Sequence, residues 1–173
     1  MAIVRKGELT FKGEPRTLVG PRLSPGDPAP DFSMLDRAFR VVRLHDTPRK
    51  VRVFSVVPSL DTSVCDLQSR RFNQEARELG DVVAAYAISV DTPFGQSRWC
   101  GAAEAQHIAL LSDVYDGSFG AAYGVRIEEM GLLARSVFVL DAEGVLRHVE
   151  YVPEFTSLPD FDAALAAVRR LIG

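Results

Sequence analysis

The chain holds two thiols in 173 residues, Cys65 and Cys100, and the first sits in a setting that favours reaction. It closes the stretch Pro58-Ser59-Leu60-Asp61-Thr62-Ser63-Val64-Cys65. An apolar, β-branched run over 51–57 stops at Pro58, a short polar turn follows, and a helical pattern begins with Cys65 in its first turn. A cysteine there faces unpaired backbone N–H groups and the positive end of the helix macrodipole, both of which favour thiolate over thiol. With Thr62 as N-cap, its side-chain oxygen accepts from the N–H three residues on, which is that of Cys65. Hydroxyl and sulfur then share one rim of the helix end. Pro58 removes a donor and fixes φ ahead of the cap. The bland alternative is a small buried hydrophobe with no chemistry, since at about 100° per residue Cys65 shares an arc with Phe72, Ala76 and Leu79. Its place just past the carboxyl end of a strand, where ligand sites gather in α/β sheets, favours the reactive reading.

Positioning such a group takes a sheet and helices, and the pattern supplies both. Residues 49–57 and 81–90 are nearly continuous apolar runs, as expected of strands covered on both faces. Between them the helix over 63–79 ends at Gly80, a favourable residue past a helix terminus. This strand–helix–strand unit is expected to be parallel and right-handed. Thr92-Pro93 caps and starts a second helix running to about Cys100-Gly101. Leu110-Leu111-Ser112 reads as a short strand, and residues 117–124 as a turn or short helix. Strands over 135–140 and 145–151 are joined by Asp141-Ala142-Glu143-Gly144, a hairpin signal. A last helix over 159–171 carries Phe161, Ala164, Leu165, Val168 and Ile172 on one face. Upstream, residues 2–20 alternate around Lys12-Gly13-Glu14-Pro15 and read as a β-hairpin; 21–30, with four prolines, is an extended connector; 39–44 is a strand. The expected fold is an α/β thioredoxin-like sandwich, a central mixed sheet flanked by helices. Its expected parts are an N-terminal β-hairpin extension over 1–20 and the main domain over 21–173.

Composition narrows the class. At 47% apolar and 25% charged residues the chain is that of a soluble globular domain, and one this long buries roughly 70% of its unfolded surface without disulfide staples. A net charge of −3 with no basic block argues against nucleic acid or a membrane surface. No apolar run approaches the ~20 residues of a membrane span, and residues 1–20 lack a signal-peptide core. A cytoplasmic protein is expected. In a reducing compartment two cysteines point to metal, redox or catalytic chemistry rather than a permanent bridge. His45, His107 and His148 lack ligand spacing to either cysteine, so no metal and no cofactor are expected. The glycines over 117–124 lack the spacing of a nucleotide-binding loop.

The motifs in order carry a family resemblance. Pro58-x-x-x-Thr62-x-x-Cys65 resembles the active-site signature of peroxiredoxins. With Phe94-Gly-Gln-Ser-Arg-Trp-Cys100, Gly131-Leu-Leu-Ala-Arg135-Ser-Val-Phe-Val-Leu-Asp141 and Glu150-Tyr-Val-Pro153, it is similar to the thiol peroxidase (Tpx) branch across essentially the whole chain. One departure is Ser63, where that branch usually has proline; loss of a proline at the first helical position loosens the turn slightly. The resemblance implies that Cys65 is the peroxidatic cysteine, Thr62 its hydrogen-bonding neighbour, Pro58 the loop proline, Arg135 the supporting arginine and Cys100 the resolving cysteine. By pattern alone Arg135 is equally a snorkelling strand-end arginine. The implied activity is thiol-dependent reduction of hydrogen peroxide and organic hydroperoxides through a Cys65–Cys100 disulfide, recycled by thioredoxin, in a homodimer. A non-enzymatic redox sensor and a structural disulfide protein are the competing readings. Trp99 is expected to anchor packing, and Asp61 and Asp66 to have no catalytic role, because a negative charge so near works against a thiolate.

Overall fold

The two apolar runs become the middle of a seven-stranded sheet in the computed structural model, which describes residues 1–173. In chain order the elements are β1 Val4–Phe11, β2 Glu14–Val19, β3 Met34–Leu35, β4 Val41–Val42, β5 Val51–Val56, α1 Ser63–Leu79, β6 Val83–Ser89, α2 Pro93–Ala103, β7 Ile108–Ser112, α3 Ser118–Tyr123, β8 Arg126–Ile127, β9 Ser136–Leu140, β10 Leu146–Tyr151 and α4 Phe161–Ile172. The sheet order is β10-β9-β5-β6-β7-β3-β4. β5, β6 and β7 run parallel, while β9 joins β5 antiparallel and β10 joins β9 antiparallel. The expected mixed α/β sandwich is the observed one. No helix is long and apolar enough to cross a membrane.

Alternation within β5 divides the core. Val51 and Val53, with Val57 just beyond the strand, face α1, α2 and α4, packing with Phe72, Ala76, Trp99, Cys100, Ala164 and Val168. Phe54 and Val56 face the other way, onto Phe32, Phe119, Tyr123 and Phe138. There the rings of Phe119 and Tyr123 stack 4.2 Å apart. Phe72 and Ala76 lie on the buried arc of α1 as the wheel indicates, and so do the polar Gln68 and Ser69.

Two readings shift. The strand expected over 39–44 shrinks to Val41–Val42, because Asp36 accepts the N–H groups of Ala38 and Arg40 and bends the chain into a turn with Phe39 at φ 62°. Ile172 is partly exposed, lying at the frayed end of α4.

The N-terminal hairpin turns through Lys12 and Gly13, both at positive φ, as a two-residue hairpin requires. Its β2 pairs with β8, and Leu9 and Leu18 are buried in the same cluster as Phe54. The connector after it is held by tyrosines. Tyr123 donates to Pro30 O at 2.8 Å, and the Tyr151 hydroxyl accepts from Leu23 N at 3.0 Å. Where this connector meets the end of α3 the backbones nearly touch: a Cβ on Gly124, which sits at φ 67°, would overlap the carbonyl oxygen of Pro21. Gly124→Ala is therefore expected to cost about 3 kcal/mol, through steric overlap and positive φ together. A urea titration will show this as a lowered midpoint.

Candidate active site

Four chain segments converge at one edge of the sheet. β5 and β6 are parallel, so the turns leaving them, Pro58–Thr62 and Val90–Thr92, lie side by side. β9 runs antiparallel to β5 with Val56 opposite Ser136, which brings Arg135, the residue before β9, to the same edge. β10 pairs Tyr151 with Ser136, so the chain leaving β10 arrives there too.

On this edge α1 begins. Thr62 is its N-cap, with extended backbone, and its Oγ1 accepts from Cys65 N at 3.4 Å while donating to Ser59 O at 3.2 Å. The Pro58–Thr62 turn is anchored by Asp91. That carboxylate accepts from Ser59 Oγ (2.8 Å), Leu60 N (2.8 Å) and Ser89 Oγ (2.7 Å), fastening the turn to the end of β6. Pro58 is buried and Thr62 exposed, and the cysteine that the turn leads to is 0% exposed.

Arg135 is 1% exposed. Its Nη1 and Nη2 both lie 3.5 Å from Cys65 Sγ, a two-pronged approach that a lysine could not make. Nη1 also donates to Gln68 Oε1 (2.9 Å) and Nη2 to the carbonyl of Phe155 (3.0 Å). Gln68 is fixed from its other end, Nε2 donating to Ser55 Oγ at 2.8 Å. A buried guanidinium needs such acceptors and stabilises an anionic sulfur beside it.

The Phe155 carbonyl is positioned from outside the sheet. The chain at Pro153–Phe155 pairs with Thr10 of the hairpin in both directions, Thr10 N to Pro153 O and Phe155 N to Thr10 O, and the Phe155 ring meets Phe11 edge-on at 4.6 Å. Glu154 accepts from Thr156, Gly13 and Thr10. These hydrogen bonds, those of Thr156 foremost, hold its carboxyl down to about 2. A depressed value of this kind contributes stability above the ordinary carboxylate range near 4.5 that is lost only as pH falls toward 2, so the anchor is intact at neutral pH.

Cys100 is in α2, 8% exposed, and its Sγ donates to Ala105 O at 3.1 Å. Seven residues into a helix that starts at the site edge, it sits about 10 Å along the axis. Both cysteines are free thiols within one buried cluster. Trp99 is buried as a packing residue and also donates Nε1–H to Asp66 Oδ1 at 2.8 Å, across from α2 to α1. Of the apolar residues near the edge, Phe94 is 74% exposed and rests on Phe39, while Met130 and Leu132 pack against the core. Gln68, Asp91 and Phe155 escape sequence reasoning. Only the polarity of Gln68 on the otherwise apolar arc of α1 could have flagged one of them.

A cysteine in the first turn of a helix, set on a thioredoxin-like sheet against a buried arginine, defines a peroxiredoxin. Residues 24–165 match the Redoxin family, and the chain belongs to it, within the thiol peroxidase (Tpx) branch of the peroxiredoxins. It is 51% identical over 165 residues to a protein named thiol peroxidase from Bacillus subtilis (strain 168), covering 95% of this chain and 98% of that one. A thiol peroxidase from Staphylococcus aureus (strain MRSA252) is 50% identical over 164 residues, 95% of this chain and 99% of its own. Among solved structures, a peroxiredoxin-like protein from Aquifex aeolicus superposes with a TM-score of 0.88 at 34% identity, over 96% of this chain and 98% of that one. The fold also matches a thiol peroxidase from Chromobacterium violaceum, with a TM-score of 0.84 at 22% identity, over 94% and 95% of the two chains. This chain is accordingly a thiol-dependent peroxidase.

Arg135→Met is expected to slow reaction with peroxide by roughly 100-fold or more, the scale for losing a fixed donor at a reacting centre. Gln68→Leu, which leaves the guanidinium in place but frees it to turn, is expected to cost roughly tenfold. Stopped-flow rates at matched protein stability will separate the two.

Proposed function

We propose that Cys65 is the nucleophile of this peroxidase and Cys100 its resolving partner, in a cycle closed by a dithiol protein of the thioredoxin kind. The observation that carries the reading is the paired contact of Arg135 Nη1 and Nη2 with Cys65 Sγ, both 3.5 Å, at the start of a helix. The Cys65 thiolate attacks the terminal peroxide oxygen. An S–O bond forms as the O–O bond breaks, and the leaving oxygen departs as hydroxide or alkoxide and takes up a proton. Arg135 spreads the charge that moves from sulfur to oxygen, and Thr62, whose Oγ1 already lies on the rim of the site, turns its hydroxyl from Ser59 toward the peroxide. Pro58 shapes the turn that leads to Cys65. The resulting Cys65 sulfenic acid condenses with the Cys100 thiol, releasing water and leaving a disulfide. Thioredoxin then reduces it by thiol–disulfide exchange.

A bridge needs Cα atoms within ~7 Å. Cys65 faces Arg135 while Cys100 donates to Ala105 O, so each sulfur gives up its present partner for the two to meet. A reducing compartment such as the cytoplasm, which regenerates the thiols, suits this cycle.

Cys65→Ser is expected to abolish peroxide consumption with hydrogen peroxide and with organic hydroperoxides. Cys100→Ser is expected to keep the first rapid turnover, then halt with Cys65 oxidised to sulfinic acid. Stopped-flow consumption and intact mass under excess peroxide check both; a Cys100→Ser protein that turns over with thioredoxin like the wild type sinks the two-cysteine cycle. The family resemblance also implies a homodimer, and the exposed Phe39–Phe94 pair suits a buried contact. Sedimentation velocity is expected to give twice the chain mass, reverting to the monomer in Phe94→Glu.

A further inference from the structure

The two residues that flank the cysteines hold each other. Asp66, directly after Cys65, accepts the indole N–H of Trp99, directly before Cys100, at 2.8 Å. Trp99 is 8% exposed and is the chain's single tryptophan. Asp66 also receives Arg70 Nε one turn on, at 2.9 and 3.0 Å, so its carboxylate is directed rather than free to swing. The other polar link between these segments, Arg98 to Asp61 at 3.7 Å, has both side chains about three-quarters exposed and contributes little.

The helix bearing Cys100 is weakest at its far end. Over eleven residues α2 carries two glycines, Gly95 in the Thr92-capped first turn and Gly101 in the last turn beside Cys100, where no residue caps it with a side chain. It ends on Glu104 at φ 52° and ψ 37°, a left-handed conformation that a glycine would take without strain. The Cys100 end of α2 therefore depends on what holds it from outside. Gln96, one turn earlier, ties α2 to the sheet through Leu111 O at 2.9 Å, and the side-chain tie to the first turn of α1 is the Trp99–Asp66 hydrogen bond.

We propose that Trp99 is a positioning residue for the resolving step. Its indole N–H, held by Asp66, keeps α2 seated on the start of α1 while both cysteines are thiols, and release of that bond gates the meeting of the sulfurs. This rests on the two-cysteine reading above. The gated step is the condensation of Cys65 S–OH with Cys100 S–H: the S–O and S–H bonds break, S–S forms and water leaves, with peroxide already spent as the oxidant. A second peroxide competes for the sulfenic acid and carries it to sulfinic acid, so the strength of the tie sets the peroxide concentration at which the enzyme overoxidises.

The test compares the full chain with Trp99→Phe, which keeps the ring and loses the donor, Asp66→Ala, which keeps the indole and loses the acceptor, and Asp66→Asn, which loses the charge and keeps an acceptor. Losing a hydrogen bond to a carboxylate shifts such an equilibrium roughly tenfold. In the reduced proteins, amide exchange over 98–103 is expected to quicken about tenfold in Trp99→Phe and Asp66→Ala, to stay near wild type in Asp66→Asn, and to stay unchanged in β5 and β6. The hydrogen peroxide concentration giving half sulfinic acid by intact mass is expected to rise in the same proportion. Exchange that quickens equally in β5 and β6 assigns the bond to general stability and overturns the proposal. So does an overoxidation threshold left at the wild-type value in Trp99→Phe and Asp66→Ala. A wild-type peptide map lacking the Cys65–Cys100 disulfide after one equivalent of peroxide overturns the two-cysteine reading along with it. A disulfide present in the wild type, with variants that behave identically, overturns the tie alone.

Discussion

A guanidinium buried to 1% exposure is an expensive group to keep, and much of the site edge is arranged around keeping that of Arg135. Stripped of water, it needs acceptors at fixed places, and it finds them on different segments: Gln68 from α1, the Phe155 carbonyl beyond β10, and the Cys65 sulfur. Gln68 is steadied by Ser55 of the central strand, and Phe155 by the N-terminal hairpin. The cation thus ties together residues from Cys65 to Phe155, spread across half the chain. Its Nε makes no hydrogen bond, so the guanidinium is held through its two outer nitrogens, which bond Gln68 and the Phe155 carbonyl and both reach the sulfur.

Against that fixed point the second cysteine is mounted loosely. Both helices are capped by a threonine, but that of Cys65 is long and closed by Gly80, while that of Cys100 is short, carries two glycines and ends on Glu104 at positive φ. The contrast suits the two-cysteine cycle proposed above, in which one sulfur is first presented rigidly to a small oxidant and then meets the other. Rigidity serves the first reaction, because charge developing at the peroxide is stabilised only by donors already in place. Pliancy serves the second, because a disulfide tolerates only a narrow range of backbone separations.

The local half of this site is legible in the sequence. A β-branched run, a proline, a threonine cap and a cysteine three residues later set the start of α1 through interactions spanning under ten residues, and the structure has Thr62 Oγ1 accepting from Cys65 N. The parallel β5–α1–β6 unit, the β9–β10 hairpin and the buried arc of α1 follow from patterning in the same way. Phe39 was legible only in part, since the Asp36 turn outweighs the β propensity of its neighbours.

What the residues alone determined is a cysteine at a helix start beyond a core strand; the motif order added a family and, by resemblance, named Arg135 and Cys100. What only the tertiary structure decided is contact. Antiparallel pairing of β9 with β5 brings Arg135 to the end of the strand that leads to Cys65, and no local pattern encodes which strand becomes a neighbour. Gln68, Asp91 and Phe155 acquire their roles in the same way, each from a hydrogen bond to a residue distant in the chain. The Asp66–Trp99 bond is of that kind too. Reach and direction in three dimensions create it, and its two residues read in sequence as a carboxylate without a catalytic role and a packing anchor.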